Sequence, residues 1–363
     1  MSHVINRIGD RMEAPNAVAL CSAIAMTASH SSNVRFTNSN CLTKQFKTAW
    51  RLATGSAFVK PGATRWYSWV DTYRNILVNY DYLYNLLTSR EFLGTAAASA
   101  WNDHRINPER QQRTLIELET LVAYGAILYK ACFILESDGQ AVFHADRIWN
   151  QVRECLRPDA PLPTGLKAFL KQVHSADGSL FTYEQGRKVS EGVIRPARIY
   201  TAVQEGEHSP TLYTFEAASL WNPTIAKTKD LTPENLKKFV EGLPWMSDDT
   251  RRLLETEVFA YKAACQQVTG TVDNILHFFR DNEKSFPTWA MISKRLTLIQ
   301  PSSASIERVW SLHSRFFVDA GIQDALIDYI RYVLMNKYNT RSDEKDDKTG
   351  VPAAPGPISE LEQ

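Results

Sequence analysis

Seven apolar residues set the first constraint on what this chain can fold into. Trp66, Trp69, Tyr73, Ile76, Tyr80, Leu83 and Leu87 follow one another at spacings that alternate between three and four. Such a series stays on one face of an α-helix, whereas a half-buried strand needs a period of two. The spacing predicts one continuous amphipathic helix from Trp66 to Leu87. A core helix fits better than a coiled coil, because polar pairs are missing at the flanking positions.

Helical patterning continues along the chain. Helices are expected over about 109–135, 142–156, 162–174 and 272–283. In "LTPENLKKFVEGLPW", Thr232 is placed as an N-cap with Pro233 at the first helical position, and Gly242 and Pro244 close the helix. "SDDTRRLLETEVFAYKAACQQV" opens on an acidic first turn and runs long. Strand patterns are few. "GVIRPARIYTAV" at 192–203 is a weak one with a proline inside; "RLTLIQP" at 295–301 is better, being short, alternating and ended by Pro301. The tail from Thr340 is rich in charge, Gly and Pro and has too little apolar surface to order itself. The expected fold class is therefore mainly α.

With 363 residues and 44% hydrophobic content, the chain can build two domains or one large interrupted one. Net charge is +1 and names no partner, but its distribution is uneven. Ala14 to Val70 contains no Asp or Glu and carries Arg35, Lys44, Lys47, Arg51, Lys60 and Arg65. Such a stretch attracts phosphates, or it is a solvated face whose counter-charges come from elsewhere in the fold. Five cysteines without C-x-x-C spacing fit reduced, intracellular thiols better than a disulfide or zinc framework. The run "AVALCSAIAMTA" at 17–28 is too short to span a bilayer, and Asp10 and Glu13 before it suit a signal peptide poorly. No G-x-G-x-x-G, P-loop, H-E-x-x-H or G-x-S-x-G signature occurs.

Phe286–Asn339, "FPTWAMISKRLTLIQPSSASIERVWSLHSRFFVDAGIQDALIDYIRYVLMNKYN", resembles the C-terminal region of hAT-family transposases. There an apolar strand leads into a small-residue turn, here Ser302 to Ser305. A glutamate-arginine pair and an aromatic follow, here Glu307, Arg308 and Trp310, and a further helix ends in an asparagine, here Asn339. "ATRWYSW" at 63–69 resembles the family's T-R-W-x-S element. "MSHVINRIGD" resembles the segment after its C-x-x-H motif, with His3 as the histidine, and "ASLWNPTIAKT" at 218–228 is a weaker match to an N-P element of its helical insertion.

The resemblance implies an RNase H-like core interrupted by an all-helical insertion. Residues 1–48 would be the remnant of that core after its second aspartate, and 49–285 the helical insertion bundle. Residues 286–339 would be a short strand plus two helices forming the C-terminal dimerisation region, and 340–363 a disordered tail. In the family, three carboxylates hold two Mg or Mn ions that stabilise the attacking and leaving oxygens of phosphoryl transfer. Glu307 maps onto the third carboxylate. The two aspartates lie upstream of the C-x-x-H motif, at which this sequence starts. The sequence as given is therefore expected not to be an enzyme and to need no cofactor. Glu307 is then a vestigial ligand, or an acid in a helix's first turn worth roughly 0.3–1 kcal/mol.

Trp66 maps onto the tryptophan that stacks on bases at a transposon end; the other reading makes it the first core residue of its stripe. Arg65 is a phosphate contact or a solvated charge. DNA contacts are expected at Trp66, Arg65, Lys44, Lys47 and Arg51, and self-association at Ile322, Leu326, Ile330 and Val333. These expectations describe a nuclear, hAT-derived protein that binds DNA weakly, associates with itself and catalyses nothing, with no membrane or small-molecule partner. A truncated or split half of an active transposase and an interaction module without a DNA role are the alternatives.

Overall fold

The computed structural model describes residues 1–29, 39–61, 66–137, 140–206, 210–272 and 274–302. Among them there are helices and turns and no strand. The chain divides into two compact units. Met1–Ile134 and Arg147–Ser209 form the first; Leu135–Asp146 and the chain from Pro210 form the second.

The first unit contains α1 (Ser2–Asp10), α2 (Pro15–Ser29), α3 (Ser39–Thr54), α4 (Tyr67–Val78), α5 (Tyr82–Leu87), α6 (Ala96–Ile106), α7 (Pro108–Leu135), α8 (Ala145–Leu156), α9 (Thr164–Ser175) and α10 (Tyr183–Gly206), the ends of α7 and α8 reaching into the second unit. The alanine-rich α2 buries Ala17, Leu20, Cys21, Ala23, Ile24, Ala25 and Ala28, so it is covered on most sides. Its small residues let it lie close along α6, whose Ala97 amide donates to Thr27 Oγ1 at 3.3 Å. Helix α7 is the one described helix long and apolar enough to cross a membrane, but half of that apolar window is buried inside the protein. Its buried residues include the carboxylate Glu117. The Glu117 side chain accepts hydrogen bonds from Asn16 N (2.9 Å), Ala17 N (3.0 Å) and Asn16 Nδ2 (2.8 Å), and so caps the start of α2. Arg113, one turn earlier, lies 3.4 Å away. Free amide hydrogens at a helix start and a negative charge satisfy each other.

The expected continuous helix from Trp66 is interrupted. It stops at Val78 and resumes at Tyr82. Asn79 supplies the cause: its side-chain amide donates to Asn75 O at 2.7 Å, the carbonyl that its own backbone amide would take in a helix. The stripe nevertheless keeps to one side: Tyr73, Ile76, Leu83 and Leu87 are buried, and Trp66, Trp69 and Tyr80 are half-buried. The segment 192–203, expected as a weak strand, is helical within α10. Val193, Ile194, Ala197 and Thr201 are buried at helical spacing. Pro196 lacks an amide hydrogen and leaves the carbonyl of Gly192 without its helical partner; Gly192 is exposed, where water can take that role. Beside this break, Val193 O accepts the amide of Glu13 at 3.0 Å and ties the α1–α2 connection to α10.

The second unit contains α11 (Pro210–Ser219), α12 (Pro223–Ala226), α13 (Pro233–Val240), α14 (Asp248–Gln266), α15 (Ile275–Asp281) and α16 (Pro287–Leu296), with a 3-10 turn at Ala141–Phe143. Side-chain oxygens start four of these helices. Asn222, Thr232, Ser247 and Asn274 accept from the amides of Thr224, Asn235, Thr250 and His277. The start at Thr232 and Pro233 is the one the sequence predicts. After α13, a Cβ on Gly242 would lie 2.3 Å from Tyr213 O, so only glycine lets the two backbones meet.

The core of this unit is aromatic. Tyr261 stacks on Trp289 with ring centroids 4.0 Å apart, and Trp221 lies 4.7 Å from Trp289. The polar atoms of these rings are all used: Trp221 Nε1 donates to Trp289 O (3.0 Å), Trp289 Nε1 to Leu254 O (3.3 Å) and Tyr261 OH to Leu220 O (2.6 Å). The segment from Leu135 to Asp146 is pinned here. Gln140 Oε1 accepts the Ile275 amide at 2.6 Å, and Asn222 Nδ2 donates to His144 Nδ1 at 3.2 Å.

The strand expected over 295–300 does not form. Helix α16 continues through Leu296, and Thr297, Leu298 and Ile299 close it by donating to Ser293, Arg295 and Leu296 carbonyls. Trp289, Ala290, Ile292, Ser293 and Leu296 are buried at helical spacing. Glu257 on α14 fixes the start of α16, accepting from Thr288 N (2.9 Å), Thr288 Oγ1 (2.6 Å) and Trp289 N (3.3 Å).

Candidate nucleic-acid interface

Helix α3 carries the feature that the charge distribution pointed to. Lys44, Lys47 and Arg51 are all exposed. At 100° per residue they fall within about 60° of one another on the helix surface, and they span about 10 Å along it. That length is close to the rise of three base pairs, at about 3.4 Å each. The opposite side fixes the rotation of the helix. Phe46 and Trp50 are fully buried, Phe46 meeting Phe92 edge-on at 5.5 Å and Trp50 meeting Phe58 edge-on at 5.0 Å. The aromatic anchors therefore hold the basic stripe outward. None of the three cations pairs with a described carboxylate. Like charges three and four residues apart repel by a few tenths of a kcal/mol, and a phosphate would relieve this. Lys60 is also exposed, on the loop that follows.

Trp66 is half-buried, and its indole is used in packing. A Cβ on Gly9 of α1 would lie 2.2 Å from its Cε3, and one on Gly125 of α7 would lie 3.2 Å from its Cη2. Two glycines on separate helices thus form the seat of this ring, which leaves less ring face for a base than a free indole offers. His3 Nε2 accepts from Arg7 Nε at 3.3 Å on the exposed side of α1. Arg65, Glu307, Ile322, Leu326, Ile330 and Val333 lie outside the described residues. Asn222 and Pro223 of the N-P element cap and start α12, and Trp221 beside them is fully buried.

The sequence reading missed a buried polar network. His104, 3% exposed, bonds through Nδ1 to Thr114 Oγ1 at 3.2 Å and through Nε2 to the Tyr80 hydroxyl. Thr114 donates its own hydrogen to Arg110 O at 2.8 Å, so it accepts from His104 Nδ1–H, and Nε2 accepts from Tyr80. Burial, helped by the nearby Arg110 charge, lowers the His104 pKa to about 4, while burial pushes the Tyr80 phenol up. The only sequence signal was the place of His104 on the α6 face that also buries Ala97 and Trp101.

Cys21, Cys132, Cys155 and Cys265 form no disulfide, and burial pushes Cys265 up to about 12. Among the described residues no three His, Cys, Asp or Glu side chains converge as metal ligands do. Comparison with known proteins finds no matching family model and no matching curated protein.

Proposed function

We propose that this chain is a hAT-transposase-derived protein that binds DNA weakly through α3, associates with itself, and performs no catalysis of its own. The observation that carries the DNA part is the stripe Lys44, Lys47 and Arg51, outward-facing and unopposed by a described carboxylate. The resemblance of Phe286–Asn339 to the family's C-terminal region supports the self-association, the nuclear setting and an RNase H-like remnant. In this reading Glu307 is an inherited carboxylate, the counterpart of the family's third metal ligand. Three helix-borne cations with no built base-reading groups give affinity for phosphates and little sequence preference.

The test is a salt titration of duplex binding. Three released counterions give a log-log slope of about −2.7, and with Lys60, Arg35 and Arg65 able to contribute, the expected range is roughly −2 to −4. Replacing Lys44, Lys47 and Arg51 together with Ala should flatten the slope by about 2.7, leaving only what the other basic residues contribute. Undetectable binding at about 50 mM salt, where phosphate contacts are strong, would overturn the DNA part and leave an interaction module.

A further inference from the structure

Helix α10 carries an ion pair that is only half made. Arg198 donates through Nη1 to Glu191, two turns earlier on the same helix. Its other edge, Nε and Nη2, is buried and donates to nothing. Such N–H groups have lost their water without a replacement, and native structures leave few of them so. A second orphan lies beside this edge. Tyr124 of α7 is 1% exposed, and its hydroxyl has no partner. Burial pushes the Tyr124 phenol up to about 12 and the Arg198 charge pulls against that rise, so the ring and the guanidinium are close neighbours. Arg157 shows the completed form of such an arginine. It also gives Nη1 to a glutamate, Glu154, at 3.1 Å. Its Nε and Nη2 edge then donates to a second carboxylate, Asp159, at 3.1 and 3.0 Å. Two parallel N–H groups match the two oxygens of a planar carboxylate, a fit that an ammonium does not offer. Arg198 has the glutamate and lacks the second carboxylate, and no described Asp or Glu takes that place.

We propose that the open edge of Arg198 and the Tyr124 hydroxyl bind the carboxylate of a small monocarboxylic acid. The fork holds both oxygens, and the un-ionised phenol donates to one of them. The surroundings limit the ligand. The Arg198 side chain is 11% exposed and that of Glu191 35%, so Glu191 is the outer member of the pair and can swing into solvent to admit a guest. The inner edge and the phenol oxygen are sealed from water in the closed arrangement, which selects a ligand of few atoms. Glu191 already offsets the arginine charge, so one further negative charge is tolerated better here than the two of a phosphate. The site draws nothing from α3 and stands or falls apart from DNA binding.

The experiment is thermal unfolding of the full chain in sodium acetate up to about 100 mM, enough to stabilise a site of millimolar Kd measurably. Sodium chloride and sodium sulfate at equal ionic strength are the controls. The midpoint should rise saturably with acetate and not with the other two salts. Arg198→Lys keeps the charge but loses the fork, and should weaken acetate binding about tenfold or more. Tyr124→Phe removes one donor and should weaken it roughly fivefold, an ordinary hydrogen-bond loss. Glu191→Gln removes the competing charge and should tighten binding, a gain that a purely structural ion pair does not predict. All three are checked for unchanged helicity; if Arg198→Lys does not fold, Tyr124→Phe and Glu191→Gln decide. No saturable acetate effect in either the wild type or Glu191→Gln overturns the site and leaves the open edge to water. Equal effects of chloride or sulfate, or acetate binding unaltered by the variants, overturn it as well.

Discussion

Glu117 in the first unit and Glu257 in the second do the same work at different depths. Each projects from a long helix and takes the first amide hydrogens of a helix that opens on proline, Pro15 or Pro287. Glu117 is 1% exposed, and Arg113 lies beside it. Glu257 is half-buried and adds the Thr288 hydroxyl. The comparison teaches that a distant carboxylate can replace the local Ser, Thr or Asn cap. Depth should then decide the penalty for losing it. Amides stranded in a dry core have nothing to turn to, whereas those near the surface have water.

The largest expected effect is therefore Glu117→Ala, which should destabilise the first unit by roughly 3 kcal/mol in urea unfolding, because it strands the amides at the buried start of α2. Acid should come next and also strike the first unit. His104 is neutral in the fold with its pKa lowered to about 4, against about 6.5 in the unfolded chain. The unfolded chain thus binds more protons between these values. Stability conferred by the neutral His104 is complete above about pH 6.5 and is lost as pH falls toward 4, reaching about 2 kcal/mol at pH 5. His104→Asn should remove that slope. The smallest effect is Glu257→Ala, at about 1 kcal/mol in the same urea assay, a normal capping loss. Equal losses for the two glutamate variants would break the comparison and make burial irrelevant to the cap.

What the sequence disclosed follows the range of the deciding interaction. Thr232 and Pro233 start α13 through atoms three residues apart, and the pattern alone located them. The Trp66–Leu87 stripe reports which side is buried, and that part was legible. The break at Asn79 was not, because a side-chain amide competing with its own backbone leaves the apolar spacing unchanged. At 295–300 the alternation suited a strand as well as a helix end. The groups that decide it, Glu257 and Trp221, lie 31 and 68 residues from their partners on α16. The basic stripe on α3 was readable because missing acids need no partner to be noticed. The seat of Trp66 was not, since Gly9 and Gly125 come together only in the fold. Glu307 and the four C-terminal apolar residues lie outside the described residues, so their roles rest on resemblance.

The segment Leu135–Asp146 has a consequence in time. It is synthesised between two parts of the first unit but belongs to the second, whose core needs Tyr261, Phe286 and Trp289. At about 5–20 residues per second, a ribosome takes roughly 7–30 s to travel from Phe143 to Trp289. Through that interval Ala141, Val142 and Phe143, all buried in the finished protein, have no core to enter. The newborn chain must carry this short apolar stretch unprotected while the helices on either side of it are already able to fold.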